Sequence, residues 1–382
     1  MIDRLVDRAL NRTVRAGPWR VPPEVADFHE RQTVVDLLVG TALFRRGFLP
    51  HLDHGHVDLP RARLGGLDVI GFTIATRFND LRGTLSAPHF RALGIAPSAL
   101  GDDLAIAGAF LDRIDTWVAE SGGRLTWWQR GEGACSDAGG LDDRAVDRAP
   151  MQCFAGIQGG QVVAPDLGRI ERLAARGVRM LGLAHVMDTP LAGSSTGRVA
   201  GGLTALGREA IAEAERVGVL VDLAHASVPA IEDALRAARR PIVISHTGFT
   251  ALAGGGSRWR RYSPATRNLP DGIVREAGAH GALIGITLAV DLVGGTSMAS
   301  VVRSIVHAVE LVGSGSVAIG SDFDGALRMP FDVRGLPALT GALLEAGLDR
   351  ESVAGIMGAN ALRILRGVGE ASDAPAYTGA AG

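Results

Sequence analysis

Residues 219–247 read VLVDLAHASVPAIEDALRAARRPIVISHT. A β-branched apolar run ends in His225, a segment with helical spacing follows, and a second apolar run ends in His246. Runs this apolar have no face left for water, which is the mark of a βαβ unit in a parallel sheet with both faces covered. The alternation extends outward in both directions. Upstream lie TVVDLLVG (33–40), LDVIGFTIA (67–75), CFAGIQ (153–158) and RMLGLAH (179–185); downstream lie ALIGITLA (282–289) and SVAIGSDFDG (316–325). Helical patterns separate them, among them RIERLAARG (169–177), REAIAEAERVG (208–218), PAIEDALRAA (229–238) and SMASVVRSIVHAVELVG (297–313). Eight strand-helix repeats predict an α/β fold of the (β/α)8 TIM-barrel type, with a further long helix within 98–121. No short repeat or long linker interrupts the pattern. The expected organisation is one barrel domain over 1–382, with an N-terminal extension at 1–30 and a frayed tail at about 368–382.

Composition narrows the partners. The chain has 39 basic and 41 acidic residues, a formal net charge of -2. That balance argues against nucleic acid or a membrane surface and for a small neutral or zwitterionic substrate. Cys135 and Cys153 are the only cysteines, too few for a disulfide framework or a thiolate zinc site, although one bridge between them stays open. The N-terminus mixes charge with apolar residues and lacks the apolar core of a signal peptide. No apolar run approaches the roughly 20 residues that span a bilayer. The expected compartment is the cytoplasm.

Barrel enzymes carry their chemistry where the strands end. Here the apolar runs end in Gln158, His185, His225, His246 and Asp322. One histidine in such a place is commonly a structural residue, but five polar ends in the same topological position converge on one bowl. His225 and His246, on neighbouring strands, can reach one ion through imidazole nitrogens. Asp322 can hold a second ion or act as a base toward metal-bound water.

These residues also carry a family likeness. VDLAH (221–225), PIVISHTG (241–248), RNLPDGIV (267–274), IGSDFDG (319–325) and GANALRIL (358–365) occur in an order and spacing that resemble the membrane (renal-type) dipeptidases, peptidase family M19. With HVDLPRARLGGLDV (56–69), GIQGG (156–160) and GVRMLGLAH (177–185), the resemblance covers roughly residues 33–366. In that family a (β/α)8 barrel holds two zinc ions and hydrolyses dipeptides, including ones with a D-residue at the C-terminal position. The resemblance implies that His225 and His246 ligate one zinc and that Asp322 sits on the other and takes part in proton transfer. It implies that His185 contacts substrate and that Arg267 grips the substrate's carboxylate, a task that suits the planar fork of a guanidinium. Dimers are common in the family, so a homodimer is expected.

The departures from the family pattern lie at the metal. Its first strand ends in Asp-Gly-His-x-Asp, whose His and second Asp bind one zinc; here Asp36-Leu37-Leu38-Val39-Gly40 stands there, and neither Leu38 nor Gly40 can ligate. The glutamate that bridges the two zincs is matched by Gln158, a weaker and neutral ligand. The expected content is therefore one zinc-like divalent ion or none, not two, with Gln158 either ligating weakly or filling the gap.

The stretch HLDHGHVDLP (51–60) concentrates three of the 10 histidines. His56 and Asp58 match scaffold positions of the family. His51, Asp53 and His54 read either as a solvated loop or as replacement ligands swung over the mouth on Gly55. Asp222 and Ser245 are placed to orient the histidines or to satisfy nearby backbone. Asp324 is read as a cap on the loop after the last strand, Trp127 and Trp128 as packing rather than cleft walls, and SRWRRY (257–262), hinged by the preceding GGGS, as a lid. The leading expectation is an amidohydrolase-like enzyme acting on a dipeptide or small amino-acid derivative, possessing altered chemistry, with Asp322 as general base. Its rivals are a non-catalytic barrel that binds a small molecule or protein, and a full dipeptidase with ligands recruited from His51 and His54.

Overall fold

Eight parallel strands follow one another around a barrel in the computed structural model, which describes residues 2–77, 93–128, 149–253, 255 and 263–367. They are β1 (Val35–Val39), β2 (Val69–Ala75), β3 (Met151–Gln158), β4 (Val178–Gly182), β5 (Leu220–Asp222), β6 (Val243–Thr247), β7 (Leu283–Ile286) and β8 (Val317–Ile319). Each pairs in parallel with the next in chain order. The seam between β1 and the segment after β8 closes through a Val39–Phe323 bridge. There the Gly40 amide donates to the Phe323 carbonyl at 2.6 Å and the Asp322 amide to the Leu38 carbonyl at 3.1 Å. The expected (β/α)8 barrel is the observed one.

The strand ends are shorter than the apolar runs suggest. Runs expected to reach residues 185, 225, 289 and 325 leave the ladder at Gly182, Asp222, Ile286 and Ile319. The reason is visible in the backbone. His225 and Asp322 adopt φ of 66° and 61°, left-handed values that no strand can contain. His185, His225 and Asp322 thus sit on loops just past the ladder, whereas Gln158 and His246 belong to it.

All eight strands send an apolar side chain into one inner cluster: Val35 and Leu37, Val69, Phe154, Met180, Leu220, Val243, Leu283 and Ala318. Ala361, Leu362, Ile364 and Leu365 of the helix Asn360–Gly367 join it, plugging the barrel. Each of the larger of these side chains contributes about 1.5–3 kcal/mol through removal from water. Trp128 belongs to the same cluster at 3% exposure, while Trp127 ends an additional strand, Leu125–Trp127, that pairs with the outer side of β3. Both tryptophans therefore pack.

The outer helices form for local reasons. In Val228–Ala237, Ser227 caps the N-terminus by accepting from the Ala230 amide, Pro229 lies in the first turn, and Ala230, Ile231, Ala234 and Leu235 make the buried stripe. Ala205–Val217 is capped by Thr204 and stopped by Gly218 in the left-handed conformation. The N-terminal region is more than a loose extension. Thr13–Arg15 pairs with Met329–Phe331 in a small second sheet, and the helix Ile2–Leu10 is fixed through buried Asp7, whose Leu5, Val6 and Leu10 stay exposed. Among the described residues no helix is long and apolar enough to cross a membrane. Among the described residues Cys153 is a buried thiol with no disulfide partner. Cys135, the expected lid at 257–262, most of its hinge, and the tail at 368–382 lie outside the described residues.

Candidate active site

Three imidazoles line up at the C-terminal mouth of the barrel. The rings of His185 and His225 are 4.6 Å apart between centroids, and those of His225 and His246 4.9 Å. The Nε2 atoms of His225 and His246 face each other at 3.0 Å. All three residues are buried. Burial and the positive charge of Arg267 push the His185 pKa down to about 4 and hold His225 and His246 well below the ordinary histidine range, so the rings are neutral near pH 7.

Arg267 ends the short helix Pro264–Arg267 and is 1% exposed, one of the largest fully buried side chains in the protein. Its Nη2 donates to the His246 carbonyl at 2.6 Å, and its Nε has no hydrogen-bond partner among the described residues. Among the described residues no carboxylate forms an ion pair with it. Asp322 titrates under opposing influences: burial raises it, Arg267 lowers it and Asp36 raises it, leaving it at about 7. Gln158, at the end of β3, is buried with its Nε2 unpartnered among the described residues.

The structure thus brings His185, His225, His246, Arg267 and Asp322 into one electrostatic neighbourhood, with Gln158 on the same rim. Asp36 is the residue that sequence reasoning missed as a contributor. It is fully buried in β1, accepts from the Leu38 amide at 3.2 Å and the Ser321 amide at 2.9 Å, and is pushed up to about 7 by burial against those hydrogen bonds. The only signal was its place beside two lost ligand positions. Of the two roles open for Asp222 and Ser245, the hydrogen bonds to nearby backbone are present, and Ser245 also reaches a histidine. The Asp222 carboxylate accepts from the Ala224 and Ser245 amides and from the Ser245 hydroxyl, which also lies 2.9 Å from His246 Nδ1. Burial pushes Asp222 up, and the Ser245 hydrogen bonds act against it.

The histidine-rich stretch at 51–60 is used for structure. Asp58 caps the helix Leu59–Leu64 and binds Arg61 Nε at 2.7 Å; the His56 Nδ1 accepts from the Asp324 amide at 2.9 Å. Asp53 is half exposed and pairs with Arg4, Arg8 and His54, while His54 also faces Asp7 at 3.4 Å. His51 has a side chain 61% exposed. Gly55 holds φ of 68°, and a Cβ there would strike the Arg46 guanidinium, so this glycine makes room for Arg46 rather than serving as a hinge. Arg46 in turn pairs with Asp7 and Asp324 in a buried cluster. Burial raises Asp324, but the Arg46 charge and His56 hold it well below the carboxylate range. It closes the seam, as a cap would.

Whether these residues suit the metal centre that the resemblance implies can be judged from the donors. His225 and His246 would be the nitrogen donors to hold an ion, and they are two. Leu38 offers none, and at Gly40 a Cβ would lie 2.3 Å from the Asp324 carbonyl oxygen, so backbone of the loop after β8 occupies the place from which a carboxylate would reach. Among the described residues no group of three His, Cys, Asp or Glu converges as an ion site. Catalytic zinc keeps three protein ligands. The residues present do not fit a two-ion centre, and His51, Asp53 and His54 do not complete one.

A parallel barrel with a histidine-, arginine- and carboxylate-lined bowl at its C-terminal mouth defines the class: an amidohydrolase-like (β/α)8 barrel. The sequence matches the membrane dipeptidases over residues 24–377, and the chain belongs to that family, peptidase family M19. Solved structures agree in fold. A Rhodobacter sphaeroides metallopeptidase, bound to a phosphinate mimic of the dipeptide L-Ala-D-Ala, shares 23% identity with a TM-score of 0.71, covering 88% of this chain and 99% of its own. A probable dipeptidase, PvdM, from Pseudomonas aeruginosa shares 19% identity with a TM-score of 0.72, covering 91% and 98%. A dipeptidase described as an M19 metallopeptidase shares 24% with a TM-score of 0.71, covering 89% and 100%.

Proposed function

We propose that this protein hydrolyses the amide of a small carboxylate-bearing substrate, a dipeptide or an amino-acid derivative. The observation that carries the reading is Arg267, a guanidinium 1% exposed and without an ion-pair partner among the described residues. A buried cation left in that state is destabilising unless a ligand brings the missing anion. A substrate carboxylate on Arg267 would lie among the neutral histidines and near Asp322. With a pKa at about 7, Asp322 can take a proton from an attacking water and return it to the leaving amine at neutral pH. His185 then contacts the bound substrate. His225 and His246 would be the residues to hold an ion, at most one, and the proton steps assigned to Asp322 do not depend on it.

The test is turnover by the purified protein on L-Ala-L-Ala, L-Ala-D-Ala and N-acyl amino acids, with elemental analysis of the same sample. The phosphinate-bound relative is the reason for including a D-residue. The expected result is hydrolysis of at least one member, lost in Asp322→Asn, with no more than one ion per chain. Two ions per chain would overturn the ion assignment. Neither turnover nor ligand-induced stabilisation by any member would sink the substrate reading. The changes at Leu38, Gly40 and Gln158 favour a second reading, a barrel that binds such a molecule without cleaving it; binding without turnover in this panel identifies it.

A further inference from the structure

We propose that Asp222 and Ser245 act as positioning residues that fix the tautomer of His246, placing its proton on Nδ1 and presenting an Nε2 lone pair to His225. The argument is a count of protons along one buried chain. Ser245 is fully buried, His246 is 1% exposed and Asp222 2%. Oδ1 of Asp222 already accepts two amides, from Ala224 and Ser245, each at 2.9 Å. Oδ2 lies 2.6 Å from the Ser245 hydroxyl oxygen. An ionised carboxylate can only accept, so the hydroxyl proton of Ser245 points to Asp222. That leaves the hydroxyl oxygen as an acceptor toward His246 Nδ1 at 2.9 Å. Nδ1 must therefore carry the ring's hydrogen, and a neutral imidazole has only one. The Nε2 of His246 is left as a lone pair, 3.0 Å from Nε2 of His225. Two lone pairs repel at that distance, so His225 donates its Nε2 proton to it.

The consequence is a directed chain, His225 to His246 to Ser245 to Asp222, in which His246 can only accept at the mouth of the barrel. An ion or a proton donor meets a ready lone pair there. Ser245 converts a carboxylate too far from the ring into an effective partner of it. The inference rests on side-chain geometry alone and survives or fails apart from any reading of the substrate.

The test is long-range 15N–1H correlation spectroscopy of the histidine rings in the 15N-labelled protein at neutral pH, with His225→Gln and His246→Gln used for assignment. In the wild type, His246 should show a protonated Nδ1 and an unprotonated Nε2, and His225 a protonated Nε2. Asp222→Asn should invert the pattern. The two backbone amides keep the asparagine oxygen at the Oδ1 position, so its amide donates to Ser245, whose hydroxyl then turns to His246 Nδ1. Ser245→Ala should leave His246 with averaged, intermediate shifts. A wild-type His246 protonated at Nε2 overturns the proposal without any variant. So does an Asp222→Asn protein that folds and keeps the proton on Nδ1.

Discussion

Replacing Arg267 by methionine should make the protein more stable and unable to bind its substrate. The guanidinium is 1% exposed, lacks an ion-pair partner among the described residues, and makes one hydrogen bond, to the His246 carbonyl at 2.6 Å. Removing a buried charge recovers a desolvation penalty of several kcal/mol, and apolar replacements of buried ionic groups have been neutral or stabilising by about 1–4 kcal/mol. The lost hydrogen bond subtracts about 1.5–3 kcal/mol, the range for a charged donor. Because burial pushes Asp322 up to about 7, little ion-pair energy with that carboxylate is lost with the cation. With the desolvation penalty taken as about 4 kcal/mol, subtracting the hydrogen bond leaves a net gain of about 1–2.5 kcal/mol. For 382 residues, an unfolding entropy of about 2.1 cal/mol/K per residue gives roughly 0.8 kcal/mol per degree, so Tm should rise by about 1–3 °C. Scanning calorimetry of both proteins, with and without the dipeptide panel, reads both effects. The wild type should gain Tm with ligand and the variant should not. A variant that melts lower than the wild type, or that still responds to carboxylate ligands, refutes the reasoning.

Two further perturbations probe the seam and its buried carboxylate. Asp36 has its pKa raised from 3.8 to about 7, so the folded state holds a proton that the unfolded chain has released. Its contribution to stability is full below about pH 4 and is lost as the pH rises through about 7, whereas the depressed histidines act with the opposite sign. Asp36→Asn isolates the carboxylate: the stability of the variant minus that of the wild type should climb by up to about 1.4 kcal/mol per pH unit between pH 4 and 7 in urea titrations. A flat difference would show that Asp36 does not titrate there. Gly40→Ala sets a methyl against the Asp324 carbonyl, 2.3 Å away, and should lower stability by about 1–3 kcal/mol or more, as overpacking does. Thermal unfolding checks it, and an unchanged Tm would mean that the seam can open to admit a side chain.

The barrel was legible because each of its strands is buried on both faces, which turns the parallel sheet into a series of apolar runs such as VLVDLAH and PIVISHT. The convergence of His185, His225, His246 and Asp322 was legible for a related reason, since topology places strand ends at one mouth, whereas Arg267, on a short helix, was offered only by the family resemblance. What could not be read was anything set by the third dimension within the loops. Apolarity continues past the last ladder hydrogen bond, so the strand limits were drawn long, and nothing in a sequence announces that His225 and Asp322 turn into left-handed backbone. Strained positions of this kind at a site are themselves a functional signal. Asp36 was hidden because its partners, Leu38 and Ser321, are offered by backbone amides. The cluster of Arg46, Asp7 and Asp324 joins segments almost 280 residues apart, from 46 to 324, and only the fold assembles it.

The losses at the metal positions become intelligible as one change in buried charge. Against the family's ligand set, this bowl lacks an aspartate where Gly40 stands and a glutamate where Gln158 stands, so it carries two fewer negative charges, one from each position. Two divalent ions would then bring far more positive charge than Asp322 and its neighbours could offset. The remaining groups instead balance at close to neutrality. The three histidines are uncharged, Asp36 and Asp322 hold protons up to about pH 7, and Arg267 is left as the cation that a substrate carboxylate would answer. Restoring one ligand alone works against that balance. A glutamate at 158 would add a buried anion without opening the seam that Gly40 closes against Asp324.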